Sequence, residues 1–242
     1  MILMFFDKLM PAPLIRLNCS MKKNWEIEDS LDLRLDMVAE QLISRGINNP
    51  DILDAFREVP RHPFVPHVSV YEAYSDQPLP IKSGQTISQP FIVAQMLTYL
   101  DPQPQHHILE IGSGSGYATA LLARLCTHVE GMDVYRDLLD DSKVVLDMMN
   151  INNVHLNHRS AWEQFESQEV YQRIILWASP PRIPEHLFDK LDEKGILVAP
   201  EGKSAQYVWV FKNENGNLIR ERKDAVRFVP LVQGSAQQID RN

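Results

Sequence analysis

Residues 108–117 read Ile-Leu-Glu-Ile-Gly-Ser-Gly-Ser-Gly-Tyr, an apolar run that meets three glycines at alternate positions. Without side chains at Gly112, Gly114 and Gly116, a ligand can rest directly against the main chain. A helix-forming run, residues 118–125, follows. Strand, glycine turn and helix in that order make the nucleotide-binding corner of an α/β sheet. A dinucleotide fingerprint needs Gly-x-Gly-x-x-Gly or Ala, and here the third place falls on Tyr117. The glycine present comes one step early, which argues against a dehydrogenase. Glu110 stands two residues before the first glycine. A carboxylate there repels a pyrophosphate and attracts a cation. S-adenosylmethionine has no phosphate and carries a sulfonium and an ammonium. The pattern Glu-x-Gly-x-Gly-x-Gly, with Ser113 inside it, therefore points to S-adenosylmethionine. Asp133 closes a second short apolar run about twenty residues past Gly112, the place of a ribose hydroxyl acceptor. Its competing role is to cap the helix that begins near Arg136.

These residues need a scaffold, and the remaining pattern supplies one. Apolar residues Leu31, Leu35, Val38, Leu42 and Ile43 form a helical stripe stopped at Gly46. A second short helix is predicted over 51–59, ended by Pro60, and a third over 91–100. Between them lies a proline-rich irregular stretch, 61–90, and a loop of that length in a compact domain is more often functional than idle. Past Asp133 the spacing predicts helices over 136–149 and 184–191. Strands are predicted over 154–157, 173–177, 195–199, 206–211 and 226–232, the last near an edge because it contains Pro230. Alternating strands and helices imply a mostly parallel sheet covered on both faces.

The 242 residues and 44% apolar content suffice for one α/β domain. A net charge of −8 argues against nonspecific nucleic-acid binding. Cys19 and Cys126 form no disulfide framework or metal motif, and a reducing cytoplasm is the simplest compartment. Residues 1–20 are apolar but short, broken by Asp7 and Lys8, and make neither a signal peptide nor a span. They read as an appendage or an upstream start, so the expected division is 1–23 as appendage and 24–242 as one domain. Within it, 24–95 faces substrate and 96–242 holds the cofactor. No stable membrane association is expected, and the chain is expected to be a monomer.

Three further blocks precede the glycine turn: Val59–Pro66 (VPRHPFVP), Ala73-Tyr74 with Pro78–Ile81 (PLPI), and Gly84–Pro90 (GQTISQP). With Phe228-Val229-Pro230-Leu231 near the end, they make the chain resemble the protein-L-isoaspartate O-methyltransferases over roughly residues 31 to 235. The resemblance implies a doubly wound, mostly parallel seven-stranded sheet of the Rossmann-like methyltransferase type with N-terminal helices. It implies methyl transfer from S-adenosylmethionine to the free α-carboxylate of L-isoaspartyl residues in damaged proteins. The serine matching Ser88 is the family's active-site residue, and Gln85, Thr86 and Ile87 lie against cofactor and substrate. A carboxylate is already ionised at neutral pH and needs no general base. Catalysis is then in-line positioning, which can supply on the order of 7–11 kcal/mol. Ser88 also suits a helix N-cap, with Pro90 close behind.

The chain departs from the family pattern in places. Where a Gly-Asp-Gly stretch supplies an acid to the adenine end, this chain has Arg159-Ser160-Ala161. Ser160 can make one weaker hydrogen bond there, so Ser160→Asp is expected to tighten cofactor binding. Trp177 replaces a small residue, Gln172 an acid, and Val232 a polar cofactor-side residue, while Gln237 matches one. Trp162 and Trp177 are assigned to core or lid packing, His62 to a local structural role, and His106 and His107 to the surface. Two alternatives follow from the departures: a methyltransferase for another carboxylate, or a non-catalytic interaction protein.

Overall fold

The computed structural model describes residues 27, 30–164 and 169–239. The appendage assigned to 1–23, and Cys19 with it, lies outside the described residues. The predicted stripe becomes helix α1 (Ser30–Asp36), a wider π turn (Met37–Leu42) and a 3-10 turn (Ile43–Arg45). Gly46 ends it at φ 92°, a left-handed geometry that suits glycine. Helix α2 (Pro50–Glu58) starts where the Asn49 side chain accepts from the N–H groups of Asp51 and Ile52, with proline in the first turn.

The stretch 61–90 is short elements rather than bare loop. It holds helix α3 (Val70–Ala73) and strands β1 (Leu79–Pro80) and β2 (Thr86–Ile87), which pair antiparallel. Helix α4 (Pro90–Leu100) follows. Its N-cap is Gln89 without a side-chain bond, so Ser88 is not the cap.

The main sheet has seven strands. At its centre β3 (His107–Ile111) runs parallel to β4 (His128–Asp133) on one side and β6 (Tyr171–Leu176) on the other. β5 (Val154–His158) lies beyond β4, and β7 (Leu191–Gly202) beyond β6, both parallel. β8 (Gln206–Glu214) and β9 (Asn217–Val226) complete the sheet antiparallel. Helix α5 (Tyr117–Leu125) joins β3 to β4, and α6 (Arg136–Met148) joins β4 to β5. Both faces are buried: Ile108 and Ile175 pack under the N-terminal helices, while Leu109, Ile111, Ile174 and Leu176 fill the opposite side. The chain leaves β3 toward β4 and later returns to β3's other side as β6, so the order in which strands are added reverses between β3 and β6. Ligands bind at such a switch point, outside the carboxyl ends of the strands.

Three expectations change. The last strand is β9, which takes in Val226, and 227–232 is extended chain that forms a bridge between Ser179 and Pro230 and exchanges two bonds between the Phe228 main chain and the Gln206 side chain on β8. Residues 184–191 form a 3-10 run, Glu185–Lys190, instead of an α-helix. His106 is buried, with Nδ1 accepting from the Gln103 N–H at 3.0 Å, and burial lowers its pKa.

Candidate active site

At the switch point Gly112 follows β3 and Trp177 follows β6, and the Trp177 N–H donates to the Ile111 carbonyl at 2.9 Å. The glycine turn holds left-handed geometry, φ 82° at Gly112, 54° at Gly114 and 85° at Gly116, which non-glycine residues rarely adopt. A cavity open to solvent lies over it. Of the residues singled out by sequence, Gln85, Thr86, Gly112, Gly114 and Asp133 line this cavity. Ile87, Ser88 and Ser113 line an adjoining recess, which shares Thr86, Gly112, Gly114 and Trp177 with the cavity.

Asp133 sits at the carboxyl end of β4, buried, on the cavity wall. One carboxylate oxygen accepts from the Gly114 N–H at 2.8 Å and the other from the Tyr135 N–H at 3.0 Å. Burial raises its pKa, and those backbone donors pull it back. Each oxygen keeps lone-pair capacity toward the cavity. Asp133 therefore locks the glycine turn to β4 and does not cap α6, whose N-cap is Tyr135.

Four predicted contacts take other places. Glu110 is fully buried and lines neither the cavity nor the recess. One oxygen accepts from Thr119 Oγ1 at 2.5 Å and the other from Trp177 Nε1 at 2.8 Å. Burial pushes its pKa up to about 7, against hydrogen bonds from Thr119, Trp177 and Ser113. Its carboxylate is turned into the protein, so direct contact with a ligand cation is not available to it. Gly116 starts α5, and a side chain there would meet Ser142 Cβ at 2.7 Å, so it serves helix packing. Ser160 is fully buried, and its hydroxyl accepts from the Trp162 N–H at 3.2 Å, tying a tight turn. Its neighbours Arg159 and Ala161 reach the cavity instead. Gln237 is exposed on helix α7 (Ala236–Ile239), away from the wall. The α7 end of the chain is moored by Glu163, whose carboxylate accepts from the Ala236 N–H at 3.2 Å and the Ser160 N–H at 3.3 Å.

Sequence reasoning missed part of the wall, Ile81, Met132, Tyr135 and the segment from Val229 to Leu231, while Arg159 and Val232, which it placed near the cofactor, do line it. Tyr135 was findable, since it stands two residues past Asp133 at a strand end. The C-terminal segment is placed by pairing at Ser179, which donates to the Val229 carbonyl at 2.8 Å and accepts from the Leu231 N–H at 2.9 Å. That contact is long-range and leaves no local signal.

Ser88 lies half-buried where the recess meets a second hollow lined by Gln89, Ile92 and residues 225–228. Its hydroxyl has no hydrogen-bond partner among the described residues. Its carbonyl accepts from Arg61 at 2.8 Å, and Arg61 Nε donates to the Ala73 carbonyl at 2.9 Å. The Arg61 N–H also donates to Tyr74 Oη at 3.2 Å, as His62 Nδ1 approaches the same oxygen at 3.0 Å. One buried side chain thus ties together the three sequence blocks upstream of the glycine turn.

Against known sequences, residues 34–236 match the family model described as protein-L-isoaspartate(D-aspartate) O-methyltransferase. The chain belongs to this family. Protein-L-isoaspartate O-methyltransferases from Pectobacterium atrosepticum and Vibrio cholerae are 40% and 39% identical to it, each over 83% of this chain and 97% of theirs. A solved protein from Plasmodium falciparum, described as a protein-L-isoaspartate O-methyltransferase in complex with S-adenosyl-L-homocysteine, superposes with a TM-score of 0.74. It is 26% identical over 83% of this chain and 99% of that one. Membership in the protein-L-isoaspartate O-methyltransferase family gives the bond between Trp177 and Glu110 a particular interest. At position 177 the sequence reading expects a small residue, so here the buried acid gains an indole donor. Among the described residues no helix is long and apolar enough to cross a membrane, and no cluster suits a metal ion.

Proposed function

We propose that this protein transfers a methyl group from S-adenosylmethionine to the free α-carboxylate of L-isoaspartyl residues in damaged proteins. The observation that carries the reading is the meeting of the Gln85–Ser88 segment with the glycine turn in one continuous hollow. The cavity residues fit the cofactor. Asp133 offers acceptor capacity to ribose hydroxyls, and Met132, Ala161 and Val229 to Val232 give apolar walls to the adenine. When bound, S-adenosylmethionine supplies an electrophilic methyl group on sulfur. The chain's own residues have no proton to move. The substrate carboxylate attacks as the anion it already is at neutral pH. Ser88 can donate one hydrogen bond to aim an oxygen of that carboxylate, and Trp177 closes the side wall and excludes water. The products are a methyl ester and S-adenosylhomocysteine.

The substrate side is the N-terminal part to about residue 95, and the rest holds the cofactor. The enzyme acts as a cytoplasmic monomer, the state that light scattering reads. The test is methyl transfer from labelled S-adenosylmethionine to an isoaspartyl peptide and to its normal aspartyl twin. Label on the isoaspartyl peptide alone is expected, and it should fall on the order of 10²-fold in Ser88→Ala with S-adenosylhomocysteine affinity unchanged. Equal labelling of both peptides, or none, refutes the reading.

A further inference from the structure

Arg61 is fully buried and no carboxylate pairs with it among the described residues. Its Nε and one terminal nitrogen donate to the carbonyls of Ala73 and Ser88, while the other terminal nitrogen, Nη1, has no partner. Its guanidinium carbon lies 5.0 Å from the centre of the Tyr117 ring. The groups that border it are Tyr117, Tyr74 and His62, and a second buried guanidinium, Arg34, also acts on the Tyr117 hydroxyl. Burying a charge without a counter-charge costs several kcal/mol, and such residues are rarely kept for stability alone. Carbonyl dipoles offset part of the cost and leave the net charge in place.

The position of this charge matters. Arg61 grips the main chain of Ser88, the residue whose hydroxyl lines the substrate recess. Tyr117, the aromatic ring beside Arg61, lines the same recess, and its hydroxyl is also buried without a partner. An anion that settles at Ser88 therefore comes within one residue's breadth of a cation that no carboxylate among the described residues neutralises. In a low-dielectric surround that attraction is screened little by salt.

We infer that Arg61 is a positioning residue for the substrate's α-carboxylate, acting through Ser88 and supplying the counter-charge that selects an anion over a neutral group. The inference rests on the proposed isoaspartyl activity. It adds the feature that tells the free carboxylate from an uncharged peptide end. A purely structural Arg61 would hold the three loop segments in place and leave charge selectivity alone.

The experiment compares inhibition of the labelling reaction by two competitor peptides, one with the isoaspartyl α-carboxylate and one with an α-carboxamide there. Wild-type enzyme should prefer the carboxylate. Arg61→Met should raise KM for the isoaspartyl peptide on the order of tenfold and collapse the carboxylate preference. S-adenosylhomocysteine affinity should hold, and kcat should fall by less than KM rises. Arg61→Lys, which keeps the charge, should keep the preference, and it carries the test if Arg61→Met does not fold. An unchanged preference in Arg61→Met, or a preference lost equally in Arg61→Lys, overturns the inference while the activity stands. Absence of wild-type methyl transfer to the isoaspartyl peptide overturns both.

Discussion

Glu110→Gln should stabilise the protein at high pH and do nothing at low pH. The carboxyl is fully buried, and its pKa rises from 4.5 to about 7, chiefly through burial. A carboxyl with a raised folded pKa binds its proton more tightly in the native state than in the unfolded chain. Its contribution is thus fully present below pH 4.5 and is lost as pH climbs through about 7. At ~1.4 kcal/mol per pH unit, that window is worth about 3 kcal/mol. Glutamine copies the protonated form: its oxygen can accept from Trp177 Nε1, and its amide can donate to Thr119 Oγ1. In a domain of this size each kcal/mol moves Tm by about 2–4 °C. Thermal melts by circular dichroism should therefore give Glu110→Gln a Tm about 6–12 °C above wild type at pH 8.5, with the gap closing near pH 5. Asp133, whose pKa burial also raises, is present in both proteins and largely cancels from the comparison. A gap of the same size at both pH values would refute the reasoning, since a packing effect has no reason to titrate.

The other expectations concern the cofactor cavity. Asp133→Asn removes a charge that accepts two backbone N–H bonds and faces the cavity. It should weaken S-adenosylhomocysteine binding on the order of ten- to a hundredfold by calorimetry. Ser160→Asp, expected from sequence alone to tighten binding, should not do so. Its side chain lies in a buried turn, and Glu163 Oε2 is 3.3 Å from the Ser160 N–H, so two carboxylates would crowd one site. A loss of about 1 kcal/mol in chemical denaturation is expected, recovered when Glu163→Gln is added, as a double-mutant cycle would show.

The parts of this protein that were legible in sequence are those with local periodicity or forced backbone geometry. The β3-turn-α5 unit announces itself because three left-handed residues must be glycine. The C-terminal hairpin shows the opposite case. β9 reads Asn-Leu-Ile-Arg-Glu-Arg-Lys-Asp-Ala-Val and is nearly all exposed, so it offers no apolar alternation. It is an edge strand guarded by charge. It gains packing from outside the aliphatic core, as Arg220 lies 3.6 Å over the Trp209 ring and Arg222 4.8 Å over Tyr207. A signal existed all the same: Asn215-Gly216, at φ 54° and 89°, is a strong two-residue hairpin turn. Within the site, residue types were readable and directions were not. Glu110 and Asp133 both stand at strand ends near the glycines, yet one faces Thr119 and Trp177 and the other faces the cavity. Sequence spacing cannot separate those outcomes, because they depend on what β6 and α5 bring alongside.

Two of the buried ionisable groups, Glu110 and Arg61, constrain how this site can accelerate its reaction. A cationic methyl donor and an anionic acceptor combine to give neutral products, so charge is lost on the way to the transition state. Contacts that strongly stabilise both ions would stabilise the reactants more than the transition state, lowering KM at the expense of kcat. Glu110 and Arg61 both stand back from such an arrangement, and Asp133, which does face the cavity, is assigned to the ribose. Glu110 is held back by two hydrogen bonds and can share a proton near neutral pH, so it presents little bare charge to the cavity. Arg61 reaches Ser88 through its carbonyl and does not itself line the recess. Both charges thus lie one layer behind the reacting atoms. From there Arg61 can select an anionic acceptor without gripping it, and on this reading the barrier is left to geometry at Ser88 and the glycine turn. On this account neutralising Arg61 should appear chiefly in KM, whereas removing the Ser88 hydroxyl should appear in kcat. That division separates a charge acting at a distance from a group touching the substrate.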